Sequence, residues 1–145
     1  MKISPFILIL SFSVIVVACT KDKFQSKPLL EFQEYDRTVD PGQILKFRIN
    51  YFDKEGDLNG APLIAINKTL NNFPPPPNVL VDTFNYSLPQ FPAKDKAEIT
   101  FELNYSRLKE SSAQNDTIQF RFAVTDLAGN KSDTLVSDII ILRQP

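Results

Sequence analysis

Hydrophobic and polar side chains alternate with a period of two along most of the chain beyond residue 28. This period puts neighbouring side chains on opposite faces of a β-strand, so each such segment predicts a strand with one apolar face. The alternation is clearest in residues 44–52 and 118–125, and it also marks residues 97–105. Shorter apolar runs predict further strands in residues 29–35, 63–66 and 134–142, and one or two edge strands in residues 79–88.

The phase of the alternation predicts which side chains face the core. In the two clearest strands these are Leu45, Phe47, Ile49, Tyr51, Ile118, Phe120, Phe122 and Val124. No window shows a helical stripe with capping residues, although residues 105–111 are compatible with a single helical turn.

About seven strands separated by turn residues predict an all-β fold, a single antiparallel β-sandwich over residues 29–145. The segment VTDLAGN at residues 124–130 is similar to a turn that recurs in immunoglobulin-like domains of secreted bacterial proteins. Together with the strand pattern, it resembles bacterial immunoglobulin-like and fibronectin-type-III-like modules. The chain lacks the cysteine pair and the tryptophan of antibody domains, so the resemblance implies only the broad sandwich architecture.

The N-terminal segment predicts where the protein resides. Lys2 precedes an almost wholly apolar run in residues 3–18. As a helix this run would be about 24 Å long, which is shorter than the hydrocarbon core of a bilayer, about 30 Å. It therefore predicts a signal peptide at residues 1–18 rather than a membrane span. The boundary Val16-Val17-Ala18-Cys19 resembles the lipobox of bacterial lipoproteins.

That resemblance implies that Cys19 is lipidated, with palmitate among its acyl chains, and becomes the N-terminus of the mature protein. The polar, lysine-rich residues 19–28 then predict a flexible tether between the lipid and the domain. We expect an outer-membrane-anchored lipoprotein that faces either the periplasm or the cell surface. The alternative is an ordinary signal peptide followed by a chance cysteine.

Composition narrows the chemistry that the domain can perform. Loss of Lys2 with the signal peptide leaves 15 basic and 17 acidic residues, a balance that argues against nucleic acid as a partner. It also argues against a basic patch for the membrane surface. The chain contains no histidine, which excludes serine–histidine, cysteine–histidine and zinc–histidine chemistry.

Two acidic loops form a candidate calcium site. In an immunoglobulin-type sandwich the loops after the second and sixth strands lie at the same end, and calcium prefers six to eight oxygen ligands. Cadherin-like domains offer a loose comparison, since their calcium sites use loop carboxylates at a module end. The alternative is ordinary turn chemistry, in which Asp and Asn bind local backbone groups and glycines provide positive φ. The candidate ligands are Asp53, Glu55, Asp57, Asp126 and Asn130.

Three aromatic residues in the proline-rich part of the chain form a second candidate site. Phe84, Tyr86 and Phe91 are expected either to bind a sugar or a protein on the surface, or to fold back into the core. The run of four prolines in residues 74–77 predicts an extended, rigid loop that protects a sheet edge.

These observations predict a lipid-anchored envelope lipoprotein that acts as a non-catalytic binding or structural module. Its expected partners are the membrane, through the lipid on Cys19, and an envelope protein or glycan. No cofactor is expected apart from calcium. The alternative is a small carboxylate-dependent envelope enzyme acting on glycans, because a glycosidase needs only two carboxyl groups.

Overall fold

The computed structural model describes residues 26–70, 81–108 and 114–144. Within these ranges the chain forms nine β-strands and one four-residue helix. The helix, α1 (Tyr105–Leu108), is the single turn with which the sequence is compatible. In chain order the strands are β1 (Leu29–Tyr35), β2 (Thr38–Val39), β3 (Ile44–Phe52), β4 (Pro62–Thr69), β5 (Val81–Ser87), β6 (Lys96–Asn104), β7 (Asp116–Val124), β8 (Leu135–Val136) and β9 (Ile140–Leu142).

The strands form two sheets around one core, so the fold is an all-β sandwich. Sheet A has the order β1-β3-β6, and sheet B has the order β2-β9-β7-β4-β5, with β8 paired to β7. All pairs are antiparallel except β2 with β9, which are parallel. The expectation of a purely antiparallel sandwich is wrong at this pair, because the chain crosses from sheet A to sheet B between β1 and β2.

The predicted strand phase is confirmed. The eight side chains expected on the inward faces of β3 and β7 are all fully buried. Rings from the two sheets meet between them: the centroid of Phe47 lies 5.0 Å from that of Phe120 and 4.9 Å from that of Phe122. A one-residue slip of either strand would expose this apolar set, so the core fixes the register.

Two strand predictions are corrected. The strand expected over residues 134–142 is divided, because Ser137 is buried and turns its polar groups toward β7. Its N–H donates to the carbonyl oxygen of Phe120 at 2.9 Å, and its hydroxyl accepts the N–H of Phe120 at 3.0 Å. The two-residue strand β2 was not predicted, since so short a segment shows no period.

Some predictions fall outside the described residues. These are the signal peptide at residues 1–18, Cys19, most of the tether and the proline run at residues 74–77. Among the residues that are described, no helix is long and apolar enough to cross a membrane.

Candidate metal centre

Three aspartates lie at one end of the sandwich, where strands of both sheets end. Asp53 directly follows β3 of sheet A, and Asp126 follows β7 of sheet B by two residues. The segment between β3 and β4 crosses from one sheet to the other and carries Asp57. Because Leu63 near the start of β4 pairs with Val124 at the end of β7, this crossing ends beside Asp126.

The three carboxyl groups form a compact and largely buried cluster. Each offers one oxygen, and these oxygens lie within 4.8 Å of one another. Asp53 is 0% exposed and Asp126 is 3% exposed, while Asp57 is half-buried. Burying several like charges at this separation is unfavourable unless a cation or a proton compensates them. The arrangement is therefore electrostatically suited to a cation.

Hydrogen bonds account for only part of the cluster. The N–H of Asp57 donates to Oδ2 of Asp53 at 3.0 Å. The backbone N–H and the side-chain amide of Asn130 donate to the two oxygens of Asp126 at 2.6 and 2.8 Å. Oδ1 of Asp53 and Oδ1 of Asp57 are buried, and neither has a hydrogen-bond partner in the described part of the chain. Buried polar atoms nearly always have a partner, so these two oxygens fit the role of metal ligands.

The protonation of the cluster reflects the same surplus of negative charge. Burial raises the pKa of the Asp53 carboxyl to about 6; the Asp57 N–H opposes this rise, whereas the carboxyls of Asp57 and Asp126 add to it. Burial also raises the pKa of the Tyr51 hydroxyl, and the charges of Asp53 and Asp95 act in the same direction. Each of these effects disfavours a further negative charge, and a bound cation would reverse them.

The loop that carries Asp57 is held in place by the segment that leads into β6. The N–H of Asp53 donates to the carbonyl oxygen of Asp95 at 2.8 Å. Gly56 has a φ of 67°, and a Cβ at this position would lie 3.1 Å from backbone atoms of Lys94. Only glycine satisfies both conditions without strain. The sequence placed Gly56 in the acidic loop, but it gave no signal for Lys94 and Asp95 as its support.

The structure unites three of the five predicted calcium ligands. Asp53, Asp57 and Asp126 converge, whereas Glu55 is exposed on the loop surface and does not belong to the cluster. Asn130 reaches the cluster, but its side chain donates a hydrogen bond to Asp126 instead of offering an oxygen to a metal. The predicted turn chemistry is also present, since the N–H of Gly129 donates to the carbonyl oxygen of Asp126 at 3.1 Å.

The three aromatic candidates lie at different depths, and Phe84 follows the alternative of folding back into the core. Phe84 is 6% exposed, stacks on the ring of Phe120 and meets the ring of Phe101 edge to face, so it is part of the core. Tyr86 is 41% exposed, and its ring meets the edge of Phe101 at a centroid distance of 5.2 Å. Phe91 is half-buried against Tyr51. Phe84 is buried because its phase on β5 points it toward sheet A.

Comparison with known proteins found similarity in structure only. No protein-family model matches the chain, and no curated protein matches its sequence. Solved structures that resemble it include Spo0M, a sporulation control protein from Bacillus subtilis (TM-score 0.43, 11% identity, 82% of this chain and 49% of that chain). Others are a β-glucosidase from Listeria innocua in complex with glucose (0.43, 14%, 81% and 16%) and a cohesin module from a Clostridium perfringens family 33 glycoside hydrolase (0.38, 11%, 83% and 100%). The chain thus spans about half of the first and a sixth of the second, and likenesses this distant carry no argument about function.

Proposed function

We propose that this protein is an exported, lipid-anchored envelope module with an immunoglobulin-like sandwich, which binds calcium and does not catalyse a reaction. Calcium would join the end of β3 in sheet A to the end of β7 in sheet B through Asp53, Asp57 and Asp126. The bound ion would stabilise this end of the sandwich for contact with an envelope protein or glycan.

One observation carries the calcium part of the proposal. Two carboxylate oxygens, Oδ1 of Asp53 and Oδ1 of Asp57, are buried with no hydrogen-bond partner among the described residues. They belong to a group whose oxygens lie within 4.8 Å of one another and which includes Asp126. Leaving buried charged acceptors unsatisfied costs several kcal/mol, and a divalent cation removes that cost.

The chemistry of the donors favours calcium over other metals. All three side chains offer hard carboxylate oxygens, and histidine is absent from the chain. Calcium accepts an irregular oxygen shell completed by backbone carbonyls and water, whereas magnesium requires a near-octahedral shell. A set built from two loops of different sheets suits the more tolerant ion.

The same geometry argues against these three carboxyl groups as the acid pair of a glycosidase. Retaining enzymes hold their two carboxyl groups about 5–5.5 Å apart and inverting enzymes about 6.5–9.5 Å apart, with the sugar between them. Here the oxygens lie within 4.8 Å, and Asp53 is 0% exposed. A substrate bond cannot reach between side chains buried in this way.

Scanning calorimetry of the purified protein, with calcium and with chelator, tests the proposal. If the dissociation constant is about 10⁻⁴ M, as in extracellular modules, 1 mM calcium should stabilise the fold by about 1.4 kcal/mol. Magnesium at the same concentration should have a smaller effect. Asp57→Asn and Asp126→Asn should abolish the calcium effect while leaving the calcium-free melting temperature equal or higher. Asn130 can turn its amide to accommodate the second change.

Glu55→Gln is the matched control, because it removes one negative charge from the same loop but lies outside the cluster. The calcium effect should persist in this variant. The proposal is wrong if calcium does not shift the melting temperature, or if the shift persists in both aspartate variants. The two loops would then be ordinary turns.

A further inference from the structure

Among the described residues sheet A ends at β6, and none of them pairs with the outer edge of this strand. In the described part of the chain β6 pairs only with β3, in a continuous nine-residue register without a bulge. The same register continues beyond both ends: the N–H of Asp53 donates to the carbonyl of Asp95, and the N–H of Tyr105 donates to the carbonyl of Gln43. These end bonds fix the direction of every backbone group between them.

In an antiparallel pair, hydrogen-bonded residue pairs alternate with pairs that are not hydrogen-bonded. Pairs at Asp95 and Tyr105 are hydrogen-bonded, so odd-numbered residues of β6 direct their N–H and C=O groups toward β3. Glu98, Thr100 and Glu102 therefore direct their backbone groups toward the open edge. Five such residues along β6 offer a regular template for one further strand.

Two adjoining cavities lie beside this edge, and their borders on β6 are shifted by two residues. One has a volume of about 250 Å³ and is bordered on β6 by residues 97–100; the other, of about 180 Å³, is bordered by residues 99–102. The shift of two residues corresponds to about 6.6 Å along a strand, the distance between side chains on one face. Phe91 lines the first cavity, Tyr86 of β5 lines the second, and Leu88 and Pro89 line both. Each cavity therefore lies between β6 and the chain at or just after the end of β5.

Charges on the outer face of sheet A specify what the next strand should carry. Arg48 of β3 forms ion pairs with Glu34 of β1 at 2.6 Å and with Glu98 of β6 at 2.9 Å. Lys46 of β3 likewise pairs with Glu102 of β6 at 2.8 Å. The sign of the charge thus alternates from strand to strand, and β6 carries the two carboxylates, Glu98 and Glu102. A strand added beside β6 would complement them if it carried cations at the opposite positions.

We propose that the β6 edge binds an extended segment of a partner protein by strand addition, in which two basic residues flank an apolar–polar–apolar core. The basic side chains lie opposite Glu98 and Glu102 on the outer face. The two apolar side chains between them enter the two cavities, and the central residue lies opposite Thr100. Main-chain hydrogen bonds provide affinity in this mode, and the alternate pockets provide specificity. None of the three clustered aspartates lines either cavity, and occupancy of this surface does not require calcium.

The test uses a synthetic seven-residue peptide with the core lysine–valine–threonine–valine–lysine, threonine at both ends and blocked termini. Binding to the purified protein is measured by calorimetry and by amide hydrogen exchange. The amides of Glu98, Thr100 and Glu102 should gain protection when the peptide is added. A peptide with glutamate in place of both lysines should bind about tenfold more weakly or worse, because it places like charges opposite those of β6.

Thr100→Pro is the decisive variant, because it removes an N–H from the open edge and none from the ladder with β3. It should weaken peptide binding by about tenfold or more, while Thr100→Ala, which keeps that N–H, should bind like the wild type. If Thr100→Pro unfolds the protein, amide hydrogen exchange in the wild type still tests the proposal, because it locates the residues that the peptide protects. The proposal is overturned by absence of peptide binding, by equal affinity for the acidic peptide, or by protection located away from β6. A dimer that Thr100→Pro dissociates would likewise overturn it, since the edge would then serve a second copy of the chain.

Discussion

The backbone N–H of Asp57 donates a hydrogen bond to Oδ2 of Asp53 at 3.0 Å, while Oδ1 of each carboxyl group is buried without a partner in the residues described. The fold thus holds the two side chains close together but compensates only one of their charges. Asp53 follows β3 directly, and Asp57 lies in the segment that crosses to β4. Repulsion between the two carboxyl groups therefore destabilises the connection between the two sheets. The charge state of the cluster should therefore affect the stability of the whole domain.

The first prediction concerns the pH dependence of the calcium-free protein. Since burial raises the pKa of Asp53 to about 6 from its ordinary value of 3.8, the folded state binds a proton more tightly than the unfolded state. The associated stability is fully present below about pH 4 and is lost as pH rises through 6. The loss should be on the order of 2–3 kcal/mol. Urea denaturation in chelator at a series of pH values measures it.

Asp53→Asn provides the reference for this experiment, because asparagine keeps an acceptor for the Asp57 N–H and does not titrate. Carboxyls remote from the cluster influence both proteins equally; for example, the hydrogen bond and charge of Arg48 lower the pKa of Glu98. The difference in stability between the two proteins should therefore follow Asp53 and its coupling to Asp57 and Asp126, and above pH 6 the variant should be the more stable one. A difference that stays constant from pH 4 to 7 would contradict the raised pKa.

The second prediction concerns the core. Phe47→Ala and Phe120→Ala each remove a fully buried ring and should each lower the free energy of unfolding by about 3–5 kcal/mol. Arg48→Ala and Arg121→Ala, on the outer faces of the same strands, should cost less than half as much, because Arg121 is exposed and the ion pairs of Arg48 lie at the surface, where such pairs are weak. Denaturant melts compare the four variants. Larger losses for the arginines than for the phenylalanines would mean that the strand phase is inverted.

The sequence predicted the long strands well because their apolar and polar side chains alternate. Only one orientation of such a strand buries all of its apolar side chains. It did not predict β2, nor the break at Ser137, since both depend on partners far away in the chain. Ser137 exchanges two hydrogen bonds with Phe120, and no local pattern encodes that pairing.

The candidate metal site was predicted in part for a related reason. In an immunoglobulin-type sandwich the loops after the second and sixth strands lie at the same end, so the sequence was sufficient to name Asp53, Asp57 and Asp126 as candidate ligands. Which acidic side chains turn inward depends on loop conformation, and here Glu55 turns outward. The edge of β6 that no described residue pairs with was not anticipated, because the sequence does not reveal that sheet A has three strands in the described ranges.

The third prediction concerns membrane attachment through Cys19, which follows from the lipobox-like boundary and lies outside the described residues. Acyl chains gain about 0.8 kcal/mol for each buried methylene, so two or more chains anchor a protein stably. Wild-type protein from the membrane fraction should carry lipid on Cys19, and Cys19→Ala should block lipidation and maturation. Intact-mass measurement decides between the two states. An unmodified Cys19 in the wild type would favour the ordinary signal peptide instead.

The last prediction concerns Gly56, which joins the acidic loop to the segment before β6. Gly56→Ala combines an unfavourable φ of 67° with a Cβ only 3.1 Å from backbone atoms of Lys94. Gly129→Ala is a matched control: its φ is 91°, but a Cβ there has nothing within 4 Å. The left-handed conformation alone costs about 1–2 kcal/mol for a residue other than glycine. Gly129→Ala should lose about this amount of stability.

Gly56→Ala should lose at least about 1 kcal/mol more than Gly129→Ala, because the loop must also move away from Lys94. That movement would displace Asp57 from Asp53, so the stabilisation by 1 mM calcium should shrink in Gly56→Ala. In Gly129→Ala it should shrink less, since Asp126 keeps its two hydrogen bonds from Asn130. Urea melts of both variants, with calcium and with chelator, measure the two effects together. Equal losses of stability would mean that the contact with Lys94 is easily relieved, and an unchanged calcium effect in Gly56→Ala would mean that the loop does not position the aspartates.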